Sequence, residues 1–200
     1  TPRANRLHIG IFGRRNAGKS SLVNTLCGHE AAIVSSVAGT TADPVYKSME
    51  ISGIGPCVLI DTAGFDDDGT LGLLRVGKTH EAASRTDMAI MLFDPDNVRA
   101  GDFACEAKWL ALLREKETPI LGVLSKADLI EDRLPLLASI QKNCALEAIA
   151  VSTHDADARS RLRAALLRLV PEGFEKPSLT GHLAGRGDVV LLVMPQDIQA

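Results

Sequence analysis

Residues 13–20 carry the clearest chemistry in the chain, because Gly-Arg-Arg-Asn-Ala-Gly-Lys-Ser fits the pattern GxxxxGK(S/T) in full. An apolar run precedes them and a helix-like segment follows, which is the strand, turn and helix context that the pattern requires. Backbone N–H groups of such a turn hold phosphate oxygens at a helix N-terminus. Lys19 would reach the β- and γ-phosphates, and the Ser20 hydroxyl would bind Mg²⁺. The predicted phosphate-binding residues are Gly13, Arg14, Arg15, Asn16, Ala17, Gly18, Lys19, Ser20 and Ser21.

A second set of residues would complete the metal site. Asp61 ends an apolar strand and begins the sequence Asp-Thr-Ala-Gly. Its carboxylate would hold Mg²⁺, usually through water, and the Gly64 N–H would meet the γ-phosphate. A threonine hydroxyl must complete the Mg²⁺ shell in the triphosphate state, and we assign this role to Thr41. The alternative is that Thr41 is an ordinary solvated loop threonine. The predicted catalytic residues are Lys19, Thr41 and Gly64.

A third motif predicts which base is bound. The sequence Ser-Lys-Ala-Asp begins at Ser125, after another apolar strand, and resembles the NKxD element of GTPases. The carboxylate of Asp128 would accept both N1–H and N2–H of guanine, a pair that adenine lacks. Lys126 would lie along the base plane, and Ser125 replaces the usual, longer Asn. Ser152 and Thr153 follow a later strand and would place a backbone N–H near guanine O6, although an ordinary turn explains them nearly as well.

The elements that must position these motifs alternate between apolar runs and helical patterns. This alternation predicts an α/β fold with a mostly parallel six-stranded sheet and helices on both faces. Val45–Ile51 and residues 56–61 are joined by a tight turn, so the first of them should be an antiparallel edge strand. The carboxyl ends of the parallel strands would bring the motifs to one rim. Predicted helices cover residues 78–84, 103–117, 133–142 and 157–170.

Composition and charge limit the partners and the domain count. The 200 residues suffice for one α/β domain, over residues 1–172, followed by a Gly- and Pro-rich linker at 173–187 and the start of another domain at 188–200. A net charge of -3 gives no support for a broad nucleic-acid-binding face. The absence of a long apolar run argues against a membrane partner. Four dispersed cysteines predict reduced thiols in a cytoplasmic protein.

Taken in order and spacing, the motifs resemble the translation-factor-type P-loop GTPases. Asn16, together with residues 33–41, resembles the tRNA-modification and ribosome-assembly branch, many members of which use K⁺. This resemblance implies GTP/GDP and Mg²⁺ as ligands, and K⁺ held by Asn16, by loop carbonyls near Ser35 and Val37, and by Thr40. A structural hydrogen bond within the loop is the alternative for Asn16.

The groups that orient the attacking water in related proteins are missing from the sequence. Phe65 stands where many GTPases have Gln, and Leu74 stands where the tRNA-modification branch has Glu. Neither side chain can polarise water, so we expect slow basal turnover. A binding-only nucleotide sensor without turnover is an alternative that these two substitutions favour.

Further stretches resemble one family more closely, the HydF family of FeFe-hydrogenase maturation GTPases. The resemblance rests on residues 41–50, 54–56, 66–76 and 189–200. It implies a full-length homodimer in which a C-terminal domain, outside this chain, carries an iron–sulfur cluster. It also implies hydrogenase maturation proteins and the apo-hydrogenase as partners, and identifies residues 188–200 as the start of a dimerisation domain. The rival hypothesis is a tRNA-modification or ribosome-assembly GTPase, which shares every nucleotide motif.

Overall fold

A computed structural model of the chain describes residues 6–28, 45–62, 80–171 and 174. Its sheet has the strand order β2-β3-β1-β4-β5-β6, in which β2 pairs with β3 in the antiparallel direction and all other neighbours are parallel. The predicted six-stranded sheet with one antiparallel edge strand is therefore confirmed. The strands are β1 (Leu7–Phe12), β2 (Val45–Ile51), β3 (Gly55–Asp61), β4 (Met88–Phe93), β5 (Ile120–Leu124) and β6 (Ala148–Ala150).

The α-helices agree with the sequence pattern except at their ends and in one case. They are α1 (Lys19–Cys27), α2 (Pro95–Ala100), α3 (Ala104–Glu115), α4 (Leu134–Cys144) and α5 (Ala158–Leu167), with a further helical segment at residues 80–84. Helix α2 is missing from the sequence-based prediction, although its signal is local. Asp94 accepts the backbone N–H of Asp96 at 3.0 Å, and Pro95 occupies the first helical position.

Successive side chains of each central strand point to opposite faces of the sheet, and helices cover both faces. Ile9, Ile11 and Leu59 pack with α1 and α5 on one face, whereas Met91 and Phe93 pack with α3 and α4 on the other. Since β1 and β4 are covered on both sides, their strands are almost wholly apolar. This two-layered core fixes the carboxyl ends of β1, β3, β5 and β6, where the predicted motifs lie.

Several sequence predictions fall outside the described residues. They comprise the catalytic and metal-binding predictions at Ser35, Val37, Thr40, Thr41 and Gly64, the substituted positions Phe65 and Leu74, and the second domain at 188–200. The linker at 173–187 is described only at residue 174. Across the described ranges, no helix has both the length and the apolar character that crossing a bilayer would require.

Candidate nucleotide-binding site

The phosphate loop has the backbone shape that an anion site at a helix N-terminus requires. Gly18 precedes α1 with φ 94°, a left-handed conformation that side-chain-bearing residues rarely adopt. Its carbonyl accepts the Leu22 N–H at 2.9 Å, which starts the helix. Because a glycine has no side chain to cap the first turn, the N–H groups of that turn are left for an anion. Asn16 is also left-handed, with φ 60°, and its side chain is exposed.

Lys19 lies within this loop rather than extending into solvent. Lys19 is only 8% exposed. The Nζ atom donates to the carbonyl oxygens of Gly13 at 2.9 Å and Arg14 at 2.7 Å. The ammonium therefore lies over the loop whose N–H groups would hold the phosphates. A nucleotide phosphate would compete with these carbonyls as the stronger, charged acceptor.

Ser20 and Asp61 form a pair that suits a magnesium ion. The Ser20 hydroxyl donates to Asp61 Oδ2 at 2.8 Å, and the hydroxyl of Thr62 donates to the Ile11 carbonyl at 2.6 Å, which ties the end of β3 to β1. Asp61 Oδ1 is buried and has no hydrogen-bond partner among the described residues. Burial raises the pKa of Asp61, while the Ser20 hydrogen bond and the Lys19 charge oppose that rise. A buried carboxylate oxygen without a partner, beside a hydroxyl, fits a hard cation.

The predicted base-binding residues are also brought together. Asp128 is exposed and accepts a hydrogen bond from the Ser152 hydroxyl, which lowers the pKa of Asp128 below its usual range. Ser152 is fully buried and accepts the His154 N–H at 3.1 Å, so its orientation is fixed. Thr153 is exposed. An ionised carboxylate at this position is the acceptor that guanine recognition would require.

Lys126 is oriented by a residue that the sequence-based prediction missed. Its backbone is left-handed, with φ 52°, and its Nζ donates to Asp94 Oδ2 at 2.5 Å. Asp94 follows β4, so its position after a buried strand was a signal that could have identified it. Ser125, where related proteins have Asn, is buried and donates its hydroxyl to the Phe93 carbonyl at 3.1 Å. A Cβ placed on Gly18 would lie 4.0 Å from the Ser125 Cβ. The loop that begins at Ser125 is therefore next to the phosphate loop.

The predicted phosphate-binding residue Arg14 is engaged elsewhere through its side chain. Its guanidinium pairs with Asp102 and Glu106 at the N-terminal end of α3. Only its backbone is left to contact a nucleotide. Arg15 and Ser21 are exposed, and Ala17 is buried under the loop. The nucleotide contacts of the loop stay predictions. For Arg14, the predicted contact is limited to its backbone atoms, because its guanidinium pairs with Asp102 and Glu106.

Fold and site together define a P-loop nucleotide-binding protein whose base-binding residues suit guanine. Residues 8–126 match the model of the family described as 50S ribosome-binding GTPase. The chain belongs to this GTPase family, and it is a GTP-binding GTPase domain.

Curated relatives carry the name tRNA modification GTPase MnmE. The protein from Ralstonia nicotianae is 34% identical over 168 residues, which cover 82% of this chain and 34% of that protein. The protein from Polynucleobacter asymbioticus is 38% identical over 156 residues, or 72% of this chain and 33% of that protein. The chain thus spans about a third of the length of these relatives.

Solved structures share the fold. Era in complex with MgGDPNP and a segment of 16S ribosomal RNA is 27% identical, with a TM-score of 0.66 over 83% of this chain and 57% of that chain. An Aquifex aeolicus Era variant bound to GDP·AlF4⁻ is 26% identical, with the same TM-score and coverage. These relatives and structures support the GTPase family and not the HydF family in particular.

Proposed function

We propose that this chain is a nucleotide switch that binds GTP and GDP with Mg²⁺ and hydrolyses GTP slowly. One observation carries the proposal: three groups of side chains follow strand ends at the same edge of the sheet. They are Lys19, the Ser20–Asp61 pair and the Asp128–Ser152 pair. These groups supply phosphate, metal and guanine contacts respectively. Mg²⁺, when bound, would neutralise charge on the β- and γ-phosphates, and Ser20 and Asp61 would hold it.

Slow turnover follows from the residues available to the reaction. Lys19 would stabilise negative charge on the transferred phosphoryl group, with Thr41 and Gly64 proposed to assist. With Phe65 and Leu74 at the positions that usually orient water, we expect a basal rate on the order of 10⁻³ s⁻¹. A monovalent cation held by Asn16 would add positive charge near the transferred phosphoryl group, as an arginine finger does in related proteins. The exposed, left-handed Asn16 at the loop supports this role.

We predict that GTP hydrolysis by this chain is severalfold faster in KCl than in NaCl at matched ionic strength. Asn16→Ala should remove the difference between the salts, because the side-chain oxygen that would hold K⁺ is lost. Asn143→Ala is the matched control, since Asn143 is an exposed asparagine on α4 that bonds the Ser139 carbonyl at 2.9 Å. Equal wild-type rates would contradict the K⁺ role. GTP binding without turnover in either salt would instead support a binding-only sensor.

For the whole protein, we propose first a tRNA-modification GTPase. The curated relatives with that name support this candidate, whereas the family match supports only the GTPase domain. The second candidate is a hydrogenase maturation factor, which would couple nucleotide state to partner exchange during delivery of a di-iron precursor. Its support is the HydF-like sequence at residues 41–50 and 189–200. Its partners would be other maturation proteins and the apo-hydrogenase, with no nucleic acid.

The cysteines of this chain are poorly suited to hold a cluster themselves. Cys27, Cys57 and Cys144 are buried, and none of the four cysteines is in a disulfide. Burial raises the pKa of Cys57 to about 12, so in the absence of a metal its side chain is a thiol. Within the described ranges, no group of His, Cys, Asp and Glu residues is placed to hold a metal ion as a cluster would require.

The two candidates predict different ligands for the natural full-length protein. A hydrogenase maturation factor should bind iron and sulfide after anaerobic reconstitution, with charge-transfer absorption in the visible range and no retention of tRNA. A tRNA-modification GTPase should shift tRNA in a gel at physiological salt and hold no iron. Iron content, visible absorption and tRNA binding are all measured on the same preparation of the full-length protein. Iron binding without tRNA binding would overturn the first candidate, and the reverse would overturn the second.

A further inference from the structure

Arg14 joins the phosphate loop to helix α3 through a buried ionic contact. Its Nε donates to Glu106 Oε1 at 2.9 Å and its Nη2 donates to Glu106 Oε2 at 3.1 Å, which is a bidentate pair. Its Nη1 donates to Asp102 Oδ2 at 2.8 Å, and Nη2 also reaches the Asp102 carbonyl at 3.2 Å. The Arg14 side chain is 11% exposed and that of Glu106 is 2% exposed. A guanidinium held by four acceptors has little freedom to leave.

The backbone of Arg14 is part of the nucleotide machinery, which gives this contact a consequence for binding. The Arg14 carbonyl accepts one of the Lys19 Nζ hydrogen bonds, at 2.7 Å, and the Gly13 carbonyl accepts another. The position of the Arg14 backbone therefore determines the position of the Lys19 ammonium. A shift of the Arg14 main chain would move both the loop N–H groups and the lysine.

The same helix also contacts the residue on the other side of Gly13. Trp109, one turn after Glu106 on α3, stacks on Phe12 with ring centroids 6.1 Å apart. Phe12 ends β1 and Arg14 lies two residues later, so α3 contacts the chain on both sides of Gly13. Leu110 and Leu113 anchor α3 to the sheet in the same core cluster as Phe12. Helix α3 is thus a rigid support for the start of the loop.

We propose that Glu106, assisted by Asp102, is a positioning residue for guanine nucleotides that acts through Arg14. This inference rests on the proposed nucleotide binding and extends it to residues remote from the ligand. The bidentate geometry, rather than charge alone, carries the effect, because a planar fork fixes the direction of Arg14 as a lysine ammonium cannot. Removing the buried carboxylate would also leave the Arg14 charge partly uncompensated, so the loop would adopt new positions.

The test measures nucleotide release and turnover on the full chain. The variants are Glu106→Gln, Arg14→Lys and the double variant, and the probe is fluorescently labelled GDP with Mg²⁺. We expect the GDP dissociation rate and the KM for GTP to rise about tenfold in each single variant, with a smaller change in kcat. Since Glu106 acts through Arg14, the double variant should be no worse than Arg14→Lys. The control is Asp96→Asn, which removes an exposed ion pair to Arg99 at 2.7 Å on α2.

The outcomes separate positioning from structural support. Faster GDP release well below the melting temperature, with non-additive effects in the double variant, would support the inference. A lower melting temperature with an unchanged GDP dissociation rate would overturn it and leave the contact purely structural. Additive effects would also overturn it, because Glu106 would then act independently of Arg14. Failure of the wild-type chain to bind GDP would instead overturn the proposed function on which the inference rests.

Discussion

Asp128→Asn should lower the affinity of the chain for GDP by about a hundredfold and raise its affinity for xanthosine diphosphate. The carboxylate of Asp128 is ionised and exposed at the rim, and the Ser152 hydroxyl donates to it. An ionised carboxylate accepts both N1–H and N2–H of guanine. The Asn amide offers one acceptor and one donor, so it opposes the guanine amino group with an N–H. Xanthine has an oxygen at that position and would pair with the amide.

The measurement is competition of GDP, xanthosine diphosphate and ADP against a labelled nucleotide for wild type and Asp128→Asn. Asp132→Asn is the matched control, because it removes an exposed carboxylate four residues later, which accepts the Leu134 N–H at 3.1 Å just before α4. It should leave the order of preference unchanged. An Asp128→Asn variant that kept its preference for GDP would show that Asp128 does not read the base.

Acid should affect this recognition only at low pH. The Ser152 hydrogen bond lowers the pKa of Asp128 in the folded chain, so the carboxylate remains ionised down to a pH below its usual value of about 3.9. Because the ionised form is the one that accepts from guanine, wild-type GDP affinity should not decline through titration of Asp128 above that range. Ser152→Ala would remove the stabilising donor and shift the acid loss to higher pH.

The sheet and the rim could be predicted from sequence because their signals are local. Apolar runs bounded by turns identify buried strands, and the helical segments between them predict that most of these strands are parallel. The antiparallel edge strand Val45–Ile51 was evident from its alternation and the short turn after it. Motifs at strand ends then had to meet at one edge. The fold therefore required no information about distant contacts.

The Arg14 contact could not be predicted in the same way, because its partners lie far along the chain. Glu106 is 92 positions from Arg14, and no pattern in a single sequence pairs them. One signal was nevertheless present. Glu106 lies on the same face of α3 as Leu110 and Leu113, and a carboxylate at a buried helical position requires a charged partner. The sequence could have indicated that Glu106 was paired, but not with which residue.

Lys19→Met should have the largest effect of any substitution considered, with a loss of GDP affinity of about a thousandfold. We propose that the ammonium is the loop's charged donor toward the β- and γ-phosphates, and the Gly13 and Arg14 carbonyls already hold it over the loop. Methionine retains the apolar stem that packs in this nearly buried position, so the change removes chiefly the charge and its hydrogen bonds. The affinity should fall in the presence and absence of Mg²⁺, since Lys19 would act on the phosphates directly.

The effect is measured as the rise in melting temperature that saturating GDP and Mg²⁺ produce, because a ligand that binds only the folded chain stabilises it by mass action. Wild type should show a clear rise and Lys19→Met almost none. Lys108→Met, which removes an exposed lysine from α3, should retain the full rise. The nucleotide-free Lys19→Met variant must still melt cooperatively, because the missing rise is then a loss of binding and not of folding. A GDP-induced rise equal to that of wild type would show that the phosphates are held by the backbone of the loop without this lysine.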